Sequence, residues 1–136
     1  MVSSLLVSAL ASLLSGAVYA YIGLRLSRRR VSADAKPAQW LFCLWWYGLA
    51  GTSALTAFEM ALYVAGHLPV WLYGALGQVA VLLLVAALAG LLYYLVYLYT
   101  GSNRIALPLA AYAIALYVLF QVLIAWYGPA PALADD

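Results

Sequence analysis

Four apolar runs of helix length, separated by three short polar breaks, dominate the sequence. A helix of about 20 residues crosses a hydrocarbon core about 30 Å thick, and helices satisfy all of their backbone hydrogen bonds there. The runs cover residues 2–26, 40–65, 70–100 and 105–127. The sequence therefore predicts an all-α integral membrane protein. Its single domain, residues 1–128, is predicted to be a four-transmembrane-helix antiparallel bundle.

The composition agrees with this class of protein. Of the 136 residues, 69% are hydrophobic and 7% are charged, whereas roughly 25% of the residues in soluble domains are charged. A separate soluble domain is therefore excluded. Cys43 is the only cysteine, so an intrachain disulfide and a multi-cysteine zinc site are also excluded. No catalytic, nucleotide-binding or metal-binding motif is present, and we expect neither an enzyme nor a cofactor.

The basic residues predict the orientation of the chain. All six lie in or beside the first and third breaks: Arg25, Arg28, Arg29, Arg30, Lys36 and Arg104. Cytoplasmic loops are enriched in Lys and Arg, so we expect both breaks inside and both termini outside. The tail, residues 129–136, is then a disordered outer segment. The expected location is the plasma (inner) membrane of a prokaryote. These basic residues have no aromatic residues interleaved among them, so they do not indicate nucleic-acid binding.

Aromatic and basic side chains mark the expected inner interface of the bilayer. Trp and Tyr favour the headgroup level because one end of the ring is apolar and the other forms hydrogen bonds. Arginines beside a span meet anionic headgroups. We expect these residues to contact lipid: Arg28, Arg29, Arg30, Trp45, Trp46, Tyr93 and Tyr97.

Small residues recur at helical spacing in the first two runs, every fourth residue in the first and four, three and four residues apart in the second. Such stripes let helices approach closely in membranes. The first stripe contains Ser4, Ser8, Ser12 and Gly16, and the second contains Ala50, Ala54, Ala57 and Ala61. We expect both to pack against helices, either within the chain, in a homo-oligomer or against another membrane subunit.

Glu59 is the only acidic residue inside an apolar run. A charged carboxylate in hydrocarbon costs at least about 2.5 kcal/mol on insertion scales. Thr56 and Tyr63 share its helix face. Counted from the outer helix ends, Ser8 and Gln121 lie at the same depth of about 9 Å, and Gln78 lies about 12 Å deep. We therefore expect these polar groups to form one layer.

Two interpretations of Glu59 remain open. In one, the layer is an ion or ligand site open to the outside, formed by Glu59, Thr56, Tyr63, Ser8, Gln78 and Gln121. In the other, Glu59 is protonated and only fixes helix register through a hydrogen bond to Gln78 or Gln121. His67 lies in the outer turn without a second histidine, and we interpret it as an interfacial side chain.

These features favour a small transporter or channel-like subunit. The plan is similar to that of small multidrug transporters, which also combine four short spans with one membrane glutamate. Their glutamate lies in the first helix, whereas Glu59 lies in the second, so the similarity is architectural only. One alternative is a sensor, an assembly module or the first helices of a heptahelical receptor-like protein. Another is lipid or quinone binding in an aromatic groove beside Tyr93 and Tyr97.

Overall fold

Four long helices make up most of the computed structural model, which describes residues 1–127. They are α1 (Val2–Ser27), α2 (Lys36–Val64), α3 (Val70–Thr100) and α4 (Asn103–Tyr127), and a short 3₁₀ turn (Ala33–Ala35) precedes α2. All four are long and apolar enough to cross a membrane. The prediction of an all-helical chain with four membrane-length helices is confirmed. The tail predicted over residues 129–136 lies outside the described residues.

Two helices begin earlier than the hydropathy pattern predicts. α2 begins at Lys36 rather than residue 40, and Pro37 lies in its first turn. Proline suits this position, because its missing amide hydrogen has no intrahelical partner there and its φ angle is already helical. α4 begins at Asn103 rather than residue 105. The polar break between α1 and α2 is therefore shorter than expected.

A glycine with a left-handed backbone conformation lies in two of the turns between helices. Gly101 follows α3 with φ of 67°, and its amide donates to the Tyr97 carbonyl oxygen at 2.7 Å. Gly66 follows α2 with φ of 73°. Glycine adopts this left-handed conformation without the steric cost of a Cβ atom. Both turns reverse the chain within a few residues, so consecutive helices run antiparallel.

The helices form a row in chain order rather than a closed bundle. Within residues 1–127, extensive contacts join α1 to α2, α2 to α3, and α3 to α4. The α1–α2 and α3–α4 connections lie at one end of the row, termed the basic end. The α2–α3 connection, residues 65–69, lies at the other, termed the hairpin end. The row differs from the predicted bundle because α2 offers small residues on two nearly opposite sides.

Glycine allows α2 and α3 to approach each other closely. A Cβ atom at Gly48 would lie 2.5 Å from the Ala87 Cβ, and one at Gly90 would collide with the Leu41 carbonyl oxygen. Since real Cβ atoms do not approach other atoms so closely, only glycine fits at either position. These two contacts fix the separation and the rotation of α2 against α3.

The other side of α2 packs against α1. A Cβ atom at Gly16 would lie 3.3 Å from the Ala50 carbonyl oxygen, and Ala57 is buried. Ser12 is half-buried, but Ser4 and Ser8 are exposed, as are Ala54 and Ala61. A step of four residues advances about 40° beyond a full turn, so Ser4 and Ser8 have rotated away from the side that carries Gly16.

A small buried cluster joins three helices at the basic end. It consists of Ala38 of α2, Tyr93 of α3, and Ala106 and Ala110 of α4. The Tyr93 hydroxyl donates to the Asn103 Oδ1 atom at 2.5 Å. The Asn103 side-chain amide donates in turn to the Asp34 carbonyl oxygen at 3.2 Å. The cluster holds the start of α4 against α3 and the start of α2.

Candidate functional site

Glu59 lies in a groove at the hairpin end of the row. The groove has a volume of about 250 Å³ and opens to the protein surface. Its lining comes from α1, α2, the hairpin and α3: Leu5, Thr56, Glu59, Met60, Tyr63, Leu68 and Tyr73. Glu59 is half-buried, whereas the rings of Tyr63 and Tyr73 are largely exposed. The site is therefore a partly enclosed carboxyl bordered by two tyrosines.

The close contacts between α2 and α3 place Glu59 in this groove. Glu59 follows Gly48 by eleven residues, which is about 20° more than three full turns. Its Cα therefore lies on nearly the same side of α2 as the residue that touches Ala87. Glu59 is five residues before the end of α2, and Tyr73 is three residues after the start of α3. The tight hairpin consequently brings the two side chains to the same level.

Thr52 and Thr56, which lie on the same face of α2 as Glu59, are already engaged with their own helix. The Thr52 hydroxyl donates to the Gly48 carbonyl oxygen at 2.8 Å, and the Thr56 hydroxyl donates to the Thr52 carbonyl oxygen at 3.0 Å. A hydroxyl has one hydrogen and two lone pairs, so Thr56 retains only acceptor capacity toward the groove. Ionised Glu59 is likewise an acceptor only. Toward a ligand the groove therefore presents these two acceptors, beside the Tyr63 and Tyr73 hydroxyls, which can donate or accept.

Three of the residues predicted for the site do not line the groove. Gln78 and Ser8 are exposed, and Gln121 is half-buried on α4, whose extensive contacts within residues 1–127 are with α3. Gln78 lies nine residues before Ala87, or half a turn around α3, and so faces away from α2. Counting residues from the helix ends gives the depth of a side chain along the bundle but not the side of the helix on which it lies. The predicted layer is therefore not brought together.

The groove also contains residues that no sequence pattern indicates. They are Leu5, Met60, Leu68 and Tyr73. Tyr73 could have been found from the length of the hairpin, since its distance from the turn differs from that of Glu59 by only two residues. His67 lies in the same turn but does not line the groove. Its Nδ1 atom donates to the Ala65 carbonyl oxygen at 2.6 Å.

The residues expected to contact lipid divide into two groups. Arg28, Arg29 and Arg30 are exposed, and Trp45 and Tyr97 are half-buried. Tyr93 is instead buried within the cluster at the basic end. Trp46 packs at 6.1 Å, centroid to centroid, from the rings of both Tyr19 and Phe42, and in the described chain its buried indole N–H has no hydrogen-bond partner.

Fold and groove together fit a small membrane protein of four long apolar helices with a half-buried carboxyl at one end. Comparison of the chain with protein-family models, with curated proteins and with solved structures finds no match. The function is therefore argued from the geometry of the site.

Proposed function

We propose that the chain is a subunit of a small membrane transporter and that Glu59 binds either a proton or a monovalent organic cation, exchanging one for the other. The observation that supports this proposal is the position of Glu59. An ionisable side chain within an apolar helix is costly and generally functional. Here it is half-buried in a groove open to the surface, where a ligand can reach it.

The chemistry of the groove favours a cation. Ionised Glu59 supplies a negative charge, and the Thr56 oxygen supplies a further acceptor. The faces of Tyr63 and Tyr73 attract cations through their ring quadrupoles. Divalent metal ions such as Ca²⁺ prefer six or more oxygen ligands, commonly several carboxylates. One carboxyl among apolar side chains such as Leu5 and Met60 instead suits a singly charged cation with apolar substituents.

Exchange follows from the properties of a single carboxyl. A protonated Glu59 has no charge to attract a cation, so a proton and a cation compete for the same group. Binding of one releases the other. A carrier with this property couples the movement of a cation in one direction to the movement of protons in the other.

Transport requires more than this row of helices. The groove lies at one end, and four helices in a row do not surround a pathway. The proposal therefore includes a second copy of the chain, or another membrane subunit, that completes the pathway beside α2. The exposed residues Ser4, Ser8 and Ala61 are available for such packing.

Flux measurements in reconstituted vesicles test the proposal. Vesicles loaded with a pH-sensitive dye are given ethidium, a fluorescent monovalent organic cation, under an imposed pH gradient. We expect the intact chain to accumulate ethidium and to move protons the opposite way. Glu59→Gln keeps the shape of the side chain but neither ionises nor releases a proton, so both fluxes should fall to the level of protein-free vesicles.

Two threonine variants provide a matched comparison. Thr52→Val and Thr56→Val each remove a hydroxyl that donates to the carbonyl four residues earlier. Only Thr56 lines the groove. Thr56→Val should therefore weaken ethidium uptake severalfold, and Thr52→Val should leave it unchanged. Unaltered fluxes in Glu59→Gln would contradict the proposal.

A second candidate function is that of a non-transporting assembly module. It is favoured by the row arrangement, in which, among residues 1–127, α1 and α4 each pack extensively against one neighbouring helix. Other helices could dock on their free sides. This function predicts that the chain co-purifies with a membrane partner from its native source and that Glu59→Gln vesicles and intact vesicles show the same absence of flux.

A further inference from the structure

A second cavity lies at the basic end, far from the Glu59 groove. It has a volume of about 220 Å³ and is bounded by the end of α1, the α1–α2 connection, the start of α2 and the end of α3. Apolar side chains such as Leu26, Val31 and Phe42 line its interior, and Arg29 lies at its margin. It therefore combines an apolar interior with a cationic group.

The walls of this cavity are fixed by hydrogen bonds and stacking. The Gln39 side-chain amide donates to the carbonyl oxygens of Leu26 and Arg29, at 2.6 and 2.8 Å. This pair of bonds holds the α1–α2 connection over the start of α2. On the other side, the rings of Phe42 and Tyr94 stack with centroids 4.0 Å apart and planes 11° apart. The cavity is thus part of the folded structure.

The charge around the cavity is strongly positive. Arg28, Arg29 and Arg30 are consecutive and exposed, and Arg25 and Lys36 lie close by in the chain. Asp34 is the only acidic residue between Met1 and Glu59. Opposing charge is consequently scarce, and the field at the cavity favours an anion.

The geometry points to an anionic phospholipid as the ligand, with its phosphate at Arg29 and part of an acyl chain against Val31 and Phe42. Arginine binds phosphate oxygens through two parallel N–H donors. Pockets for whole small molecules begin at roughly 300 Å³, so this cavity suits the portion of a lipid next to its headgroup, while the remainder stays in the bilayer. A neutral quinone has no negative charge to pair with the arginines.

Native mass spectrometry of the full chain in detergent tests this inference. The protein is titrated with phosphatidylglycerol and, separately, with phosphatidylcholine of the same acyl chains. We expect one phosphatidylglycerol to bind with clear preference. Arg29→Gln should weaken this binding about fivefold, the contribution expected of one basic residue near an anionic headgroup. Arg30→Gln removes an equal charge just outside the cavity and should weaken phosphatidylglycerol binding less than twofold.

A third variant separates the cavity from general surface charge. Val31→Trp keeps every arginine but fills the apolar interior, and it should abolish the preference for phosphatidylglycerol. Equal effects of Arg29→Gln and Arg30→Gln would overturn the inference, because surface charge alone would explain them. Equal binding of the two lipids, or displacement of phosphatidylglycerol by a quinone, would also overturn it. None of these variants alters the Glu59 groove, so ethidium flux reports on a separate question.

Discussion

Replacement of Gly90 by alanine tests the close contact that orients α2 against α3. A Cβ atom at Gly90 would collide with the Leu41 carbonyl oxygen, whereas one at Gly77 of the same helix would meet nothing within 4 Å. Both substitutions gain about 1 kcal/mol of helix propensity. Overpacking costs about 1–3 kcal/mol, and the upper value applies because a backbone carbonyl cannot rotate aside. Gly90→Ala should therefore destabilise the fold by about 2 kcal/mol.

The assay is unfolding in mixed dodecyl maltoside and SDS micelles, followed by tryptophan fluorescence. Gly77→Ala is the matched control and should stabilise the fold by up to about 1 kcal/mol. The difference between the two variants, about 3 kcal/mol, isolates the collision because the propensity gain is common to both. Equal free energies of unfolding for Gly77→Ala and Gly90→Ala would refute the close approach and, with it, the rotation that directs Glu59 into its groove.

Two further predictions concern the basic end. Tyr93→Phe removes the hydrogen bond to Asn103 and should lower the free energy of unfolding by about 1 kcal/mol. Tyr99 is 94% exposed, so Tyr99→Phe should change the free energy of unfolding by much less in the same micelle titration. Gly101→Ala places a Cβ atom on a residue with φ of 67° and should destabilise the fold by about 1 kcal/mol or more. Thermal unfolding should show this loss of stability. Gly74 lies in an open part of α3, so Gly74→Ala should show no loss of stability.

The helices of this chain are largely readable from sequence, because a membrane span needs a long apolar run and little else. α3 occupies the residues predicted for it, Val70–Thr100. The hydropathy pattern predicts the start of α2 too late, because Lys36 and Pro37 are polar or helix-breaking residues next to the basic break. Proline in a first turn is compatible with a helix, so polarity alone did not define the boundary.

The arrangement of the helices was harder to predict than their positions. The sequence shows that Ser4, Ser8, Ser12 and Gly16 repeat every four residues, yet a contact surface follows alternating steps of three and four. The decisive contacts come from Gly48 and Gly90, which belong to neither predicted stripe. Whether a glycine meets a neighbouring backbone depends on which helix lies opposite, and one sequence does not contain that information.

The same limit applies to the site. Thr56, Glu59 and Tyr63 line one groove because their spacing within a single helix places them on one face. Gln78 and Gln121 do not join them, because their rotation depends on how α3 and α4 pack. Depth in the membrane was therefore sufficient to suggest a common layer but insufficient to establish contact.

Glu59 is the only glutamate in the chain, so an NMR measurement of its carboxyl tests most directly whether it binds a cation. Glutamate labelled with ¹³C at the side-chain carboxyl gives one protein signal in an NMR spectrum of the full chain in micelles. We expect this signal to shift as ethidium is added and to saturate, and we expect saturation to need more ethidium at lower pH, because protons compete for the same carboxyl. A carboxyl signal that stays unchanged throughout the ethidium titration would show that Glu59 does not bind the cation.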